Sequence, residues 1–307
     1  MDRKHMVFLK VAELGNLTAA SAALHVAQPS VTRTINAMES DFETRLFTRQ
    51  PRGMELTEEG RTLYRYLKEM EVIYERARRD VDAVRRGYHD AIRIGCGLTY
   101  QLLLMPEILC RLWQDFPHTS FQVFTGAADD HARALRDGEL DIVITAAIEK
   151  IEDPLIEVIK LSRIEHGVAS WPGVLPDIPL TERMPLNELE NRSWVLFQVE
   201  PELTYSMESL FHSCRLAPPR VALTTTSLQL GLEIVSTNSM IMSAPTLLRG
   251  WLRQRGYRLH ATSEPLWELD SGIALLKANR DHPVATALIA HAKELVQSLP
   301  EFATSAA

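Results

Sequence analysis

Gln28, Ser30, Thr32, Arg33, Thr34 and Asn36 place hydroxyls, amides and a guanidinium on one short stretch of chain. Such groups hydrogen-bond base edges and phosphate oxygens, so the chemistry they suit is recognition of duplex DNA rather than bond making. A helix would present them. Val31, Ile35, Met38 and Phe42 step four, three and four residues and predict a buried stripe that leaves the polar set outward. Pro29 falls in the first turn of that helix, where its missing N–H costs nothing. Residues 46–57, LFTRQPRGMELT, alternate and read as a hairpin that carries Arg49 and Arg52 toward a phosphate backbone or minor groove. A solvated helix face is the plain alternative for the whole set.

A second group of residues suits a small anion. Gly97-Leu98-Thr99-Tyr100 follows a strand pattern and opens a helix, whose free N–H groups and dipole end favour a carboxylate. Thr145 ends the strand DIVIT, at the kind of carboxyl strand end where clefts of open sheets form. Phe197 and Gln198 also follow a strand, and Thr224, Thr225, Thr226 and Ser227 precede a helix. A helix cap is the simpler role for each threonine. With Phe124, Phe197 and Trp267 supplying aromatic faces, the expected ligand is a small organic carboxylate, aromatic in character.

Other chemistries have less to stand on. The formal charge is −7, and residues 1–60 hold seven Lys/Arg against eight Asp/Glu. DNA binding therefore has to come from local geometry, with Arg33, Arg49 and Arg52 as a small basic face. Cys96, Cys110 and Cys214 are too few and too scattered for a disulfide framework, and the ten histidines form no metal motif. No metal, cofactor or catalytic residue is expected. GxGxxG, GxxxxGKS and GxSxG are absent from the sequence, which speaks against an enzyme. The start of the chain is no signal peptide and no apolar run would span a membrane, so a cytoplasmic location is expected.

The elements that must position these groups follow in order. Residues 3–14 predict a helix with Phe8, Val11 and Ala12 inward, ended by Gly15. Asn16 caps the next helix, which turns Ala19, Ala20, Ala23 and Leu24 inward, and His25 to Ala27 is the turn. Leu63, Leu67, Met70, Tyr74, Ala77, Val81 and Val84 alternate steps of four and three. That heptad seam predicts a helix that dimerises with a second copy and ends at Gly87. From Ala91 onward, strand and helix patterns alternate as βαβαβ, implying a parallel sheet. A second such region begins near 167, and ELDSGIALL at 268–276 returns as a late strand before a final helix, 283–299. Two hinged α/β lobes with a cleft between them are expected.

In this order the residues resemble the LysR-type transcriptional regulators. The resemblance rests on Phe8-x-x-Val11, Leu17-Thr18-x-Ala20 and Leu24-x-Val26-x-Gln28-Pro29-Ser30-Val31-Thr32. It continues through Leu46-Phe47-x-Arg49, Leu56-Thr57-x-x-Gly60, Ile94-Gly95, Met105-Pro106, Phe116-Pro117 and Gly138-x-Leu140-Asp141-Ile142. The resemblance implies an N-terminal all-α winged helix-turn-helix over 1–60, a linker helix over 61–89 and an effector-binding module over 90–307. That module would be two Rossmann-like subdomains of periplasmic-binding-protein type 2 fold, about 90–166 with 268–307, and about 167–267. It further implies a homodimer or homotetramer on double-stranded promoter DNA, a small-molecule effector, and RNA polymerase as a further partner. A thiol-based redox sensor of the same fold, using Cys96 with Cys214, is the alternative. Ala27 stands where the family has serine, Glu43 where it favours glycine, and Asn238-Ser239-Met240 where it has a glycine-rich turn.

Overall fold

Gly15 ends the first helix because its backbone lies in the left-handed region, φ 60°, where a residue without Cβ is at ease. Asn16 then starts the second helix by accepting from Thr18 N at 2.8 Å and Ala19 N at 3.2 Å. The computed structural model describes residues 2–50, 53–85, 90–179, 181–197 and 203–299. Gly87, Arg52 and Gln198 lie outside them. The chain divides into two compact units, Met1–Ala91 with Arg136–Glu139, and Ile92–Leu135 with Leu140–Ala307.

The first unit holds α1 (Arg3–Leu14), α2 (Leu17–Ala23), α3 (Gln28–Asp41), the antiparallel pair β1 (Phe47–Gln50) and β2 (Gly53–Leu56), and α4 (Glu58–Arg85). Its core is Phe8, Val11, Ala20, Val31, Ile35, Met38, Leu46, Phe47 and Leu67. Two expectations fail in detail. Ala19 and Ala23 are exposed, and it is Ala20, with Leu17 and Leu24, that packs on the core. Phe42 is the residue past the end of α3 and is half exposed. Its place in the buried stripe is taken by Glu39, because the next turn of helix faces the incoming wing strand rather than an apolar neighbour.

The second unit is built on a nine-stranded sheet. Its elements are β3 (Asp90–Cys96), α5 (Leu98–Leu103), α6 (Met105–Asp115), β4 (Thr119–Thr125), α7 (Ala128–Arg136) and β5 (Ile142–Ala146). Then come β6 (Ile156–Ser170), β7 (Ser193–Phe197), α8 (Leu203–Ser213), β8 (Arg220–Thr225), α9 (Leu228–Thr237) and β9 (Ile241–Pro245). The last are α10 (Arg249–Arg253), β10 (Arg258–His260), β11 (Trp267–Leu276) and α11 (Pro283–Ser298). The strand order is β4-β3-β5-β11-β6-β9-β7-β8, with β10 paired to β6. The sheet is mixed rather than parallel, since β11 runs antiparallel to both β5 and β6, and β6 antiparallel to β9.

The long strands β6 and β11 pass through both halves of this sheet, and their register locates a gap. Ala146, the last residue of β5, lies opposite Ser271, which pairs with Ser162. Pro245, the last residue of β9, lies opposite His166. The carboxyl ends of β5 and β9 therefore point at each other across the stretch Ser162 to His166, about 13 Å at a strand's rise per residue. One core, around Ile94, Tyr100, Ile108, Ile144 and Leu288, lies on the first side of the gap. Two others, around Trp194 and Phe211 and around Val195 and Leu232, lie on the second. Leu247 from the second half enters the first core, and Ala128 and Ala147 enter the second, so the halves touch beside the gap.

Candidate DNA-binding and ligand-binding sites

Pro29, Arg33 and Asn36 are exposed, and Thr32 is half-buried between them. Positions three, four and seven residues apart share one helix face, so these four form the outward stripe of α3. Gln28 is exposed at the helix start, while Ser30 and Thr34 are half-buried on the flank. The Thr32 and Thr34 hydroxyls donate to the carbonyls of Gln28 and Ser30, at 3.3 and 3.0 Å, and keep lone pairs free to accept. Arg33 Nε donates to Pro29 O at 3.4 Å, which holds the stem of the guanidinium along the helix. Ala27 begins α3 with no side-chain cap, as its methyl dictates.

The wing is fixed to this helix by a residue that pattern reading passed over. Oε1 of Glu39 accepts from Leu46 N at 2.9 Å and Phe47 N at 3.2 Å, and Oε2 pairs with Arg45 at 2.7 Å. A cavity of about 290 Å³ lies between α3 and β1, lined among others by Thr32, Asn36, Arg45 and Thr48. Arg45 and Thr48 join the candidate surface only because β1 is pinned there; nothing in their spacing announced it. Gly53 and Gly60 make the packing possible. A Cβ on Gly53 would sit 2.2 Å from the Gly15 carbonyl oxygen, and one on Gly60 2.0 Å from that of Leu46. Glu43 takes φ 53°, a left-handed position that accounts for why a glycine suits this place. Arg49 is on β1.

In the second unit, Gly97, Thr99 and Thr145 come together at the carboxyl ends of β3 and β5. Gly97 N donates to Ile144 O at 2.8 Å, and a Cβ on Gly97 would lie 2.7 Å from Thr145 Oγ1. Thr99 and Thr145 are buried, and among the described residues neither hydroxyl has a hydrogen-bonding partner. Leu98 is half-buried at the start of α5, which at six residues supplies little of the dipole expected of it. Tyr100 is fully buried, its hydroxyl 2.6 Å from Ser271 Oγ and 3.3 Å from Ser162 Oγ.

Several expected lining residues are placed elsewhere. Phe197 belongs to one core of the second half. Trp267 belongs to another, stacked on His166 at 4.9 Å between centroids. Phe124 is exposed on the edge strand β4. Large aromatic side chains fill cores by default, so an aromatic lining cannot be inferred from their presence at strand ends. Thr225 Oγ1 accepts from Ser227 N at 2.9 Å and Ser227 Oγ from Leu230 N at 3.2 Å, so both serve the start of α9. Thr224 and Thr226 are exposed. Asn238 ends α9 with φ −131°, an extended conformation that asks for no glycine.

These two sites stand beside independent likenesses. Residues 3–61 match the family model described as bacterial regulatory helix-turn-helix protein, lysR family. Residues 85–297 match the model described as LysR substrate binding domain. The chain belongs to the LysR family. The uncharacterised HTH-type transcriptional regulator YybE of Bacillus subtilis is 27% identical over 213 residues, covering 69% of this chain and 71% of YybE. Full-length CbnR in complex with its target DNA has a TM-score of 0.55 at 19% identity, covering 96% of this chain and 100% of that one. The hydrogen-peroxide-bound C206S mutant of Corynebacterium glutamicum OxyR has a TM-score of 0.54 at 17% identity, covering 99% and 94%. At those identities the two solved structures establish the fold.

In this LysR-family chain the linker helix departs from a strict heptad seam. Leu63 and Leu67 pack into the winged-helix core, where Leu67 is buried. Lys68 adds a tie from α4 to α1 by reaching Glu13 at 3.3 Å. Met70, Tyr74, Ala77, Val81 and Val84 are exposed, and so are Tyr66 and Ile73, which widen the stripe. The cysteines give the redox alternative little. Cys96 is buried among Ile94, Tyr100 and Ile144, where burial pushes its thiol well above the usual range and away from the reactive thiolate. Cys214 is an exposed free thiol past the end of α8.

Proposed function

We propose that this chain is a LysR-type transcriptional regulator that reads promoter DNA with α3 and the wing. It acts in the cytoplasm as a homo-oligomer joined along α4. Its output is set by a small organic effector held between the two halves of the second unit. The observation that carries the DNA reading is the outward stripe of exposed Pro29, Arg33 and Asn36 with half-buried Thr32, and Gln28 at its start, beside a wing fixed by Glu39. A recognition helix in the major groove contacts bases from such a face, with Ser30 and Thr34 at its margin. Arg45 and Thr48 extend it toward the phosphate backbone, in company with Arg49 and Arg52. The exposed apolar stripe Met70, Ile73, Tyr74, Val81 and Val84 supports pairing of two copies of α4.

The effector site is the gap between the ends of β5 and β9. Support comes from Thr99 and Thr145, buried residues whose hydroxyls have no hydrogen-bonding partner among the described residues and suit an acceptor such as a carboxylate oxygen. Gly97 and Leu98 form the adjoining wall, and Thr226 with the Thr225–Ser227 turn offers the groups nearest the end of β8. A gel-shift assay on the chain's own promoter tests the DNA reading; no shift would end it. Thermal-shift screening of the full chain against carboxylic acids, benzoate included, tests the effector reading. Stabilisation by neutral or cationic compounds alone would overturn the carboxylate assignment.

A further inference from the structure

The two strands that pass between the halves of the second unit are irregular at one point. Ser271 pairs with Ser162 but Gly272 pairs with Lys160, so Leu161 is an extra residue on β6. This is a β-bulge, a device that bends a strand and re-aims what it carries. Gly272 permits it, since a Cβ there would lie 2.2 Å from the Ile159 carbonyl oxygen. The bulge sits at the end of β5, on the first-half lip of the gap.

Both faces of the bulge are clamped. On the exposed face, Asp270 holds Lys160 Nζ at 2.6 Å and Arg163 Nε at 3.2 Å, one residue from each side of the insertion. That clamp joins the two strands to each other. On the buried face, Ser271 Oγ donates to the Ser162 carbonyl at 2.8 Å. With that proton committed, the Tyr100 hydroxyl donates to Ser271 Oγ at 2.6 Å, and Ser162 Oγ is 3.3 Å from Tyr100 and 2.9 Å from Ser271. Tyr100 comes from α5, the helix that begins against Thr145 and includes Thr99. These hydroxyls lie in a low-dielectric interior where losing a partner is costly, so α5 cannot shift without carrying the bulge or breaking the network.

We propose that Tyr100 is a positioning residue that couples the α5 side of the cleft to the β6–β11 bulge, so that helix position and crossover-strand geometry change together. What drives the change rests on the cleft reading above; the coupling itself does not. Hydrogen–deuterium exchange on the full chain tests it through Tyr100→Phe, Ser271→Ala and the double variant. Ser271→Ala speeds exchange of amides 98–103, and Tyr100→Phe speeds exchange at 160–163 and 270–272, each about three- to tenfold. The double variant falls well short of the sum of the single effects, because both changes remove the Tyr100–Ser271 contact. Additive effects, or a silent α5 in Ser271→Ala, overturn the proposal. Asp270→Asn loosens the bulge but leaves α5 unchanged. An equal loosening of α5 would mean that the strands carry the coupling without Tyr100, and would also overturn it. Benzoate then separates the two readings. It protects α5 and the bulge together in the wild-type chain, and α5 alone in Tyr100→Phe; protection of both in the variant overturns the coupling. An intact mutant cycle with no benzoate effect supports the coupling and counts against the carboxylate.

Discussion

Replacing Glu39 separates two roles that one carboxylate performs. Both wing amides go to a single oxygen, Oε1, while Arg45 goes to Oε2. Leu46 and Phe47 are 1% and 5% exposed, so their N–H groups depend on Glu39 in the folded chain. Leaving each unsatisfied costs about 1–3 kcal/mol, and Glu39→Ala should lose roughly 2–6 kcal/mol. Glu39→Gln keeps a carbonyl oxygen for both amides and gives up only the pair to Arg45. The Arg45 side chain is 78% exposed, so that pair is worth about 0–1 kcal/mol after screening. Thermal unfolding reads the difference with an internal control. All five tryptophans, at 113, 171, 194, 251 and 267, lie in the second unit. In Glu39→Ala the early far-ultraviolet circular dichroism transition should fall by on the order of 10 °C or more while the tryptophan transition stays in place. Glu39→Gln should move neither by more than a few degrees. If Glu39→Gln fell as far as Glu39→Ala, the ion pair would be the dominant contact and the backbone-capping argument would be wrong.

Other perturbations have equally direct readings. Arg33→Ala should weaken promoter binding in a gel shift while sedimentation shows the same oligomer; undiminished binding removes Arg33 from the DNA surface. Val81→Glu, at a side chain 69% exposed, should dissociate the oligomer by burying a charge in the seam, as light scattering would report. Gly60→Ala should cost about 1–3 kcal/mol of winged-helix stability, because the neighbouring atom is the Leu46 carbonyl oxygen, part of the backbone and unable to rotate aside. Burial lowers the His166 pKa from 6.5 to about 3. The folded state thus resists the proton that the unfolded chain accepts, and stability held above pH 6.5 is lost as pH falls toward 3. At pH 4.5 the loss is about 3 kcal/mol, and in His166→Phe the acid limb of the tryptophan-monitored stability profile should be shallower by that amount.

How far these sites were visible beforehand depends on the range of the interactions that make them. Gly15, Asn16 and Pro29 act on their own turn of chain, and their roles follow from residue type. The stripe Val31, Ile35 and Met38 is likewise a local period. Glu39 looks in sequence like any charged residue on a helix. It becomes a structural acceptor only because the chain returns after Thr44 and aims two amides at it. The heptad steps on α4 are regular from Leu63 to Val84, yet which part of the seam is free depends on where α1 lies. In the second unit, Ile159 and Leu161 on either side of Lys160 were a signal for β6 that shorter, wholly apolar strands outshone. Missing β6 hid the strand that spans the gap, and with it the bulge. Tyr100 then read as one more residue at a helix start, since its partners lie 62 and 171 positions away. A sequence period reports which face of an element is buried, but it is silent on what that face meets. That Thr99 and Thr145 stand together was legible because strand ends have a fixed topological meaning; that Tyr100 bonds to Ser162 and Ser271 was not, because a hydroxyl declares its partner only in three dimensions.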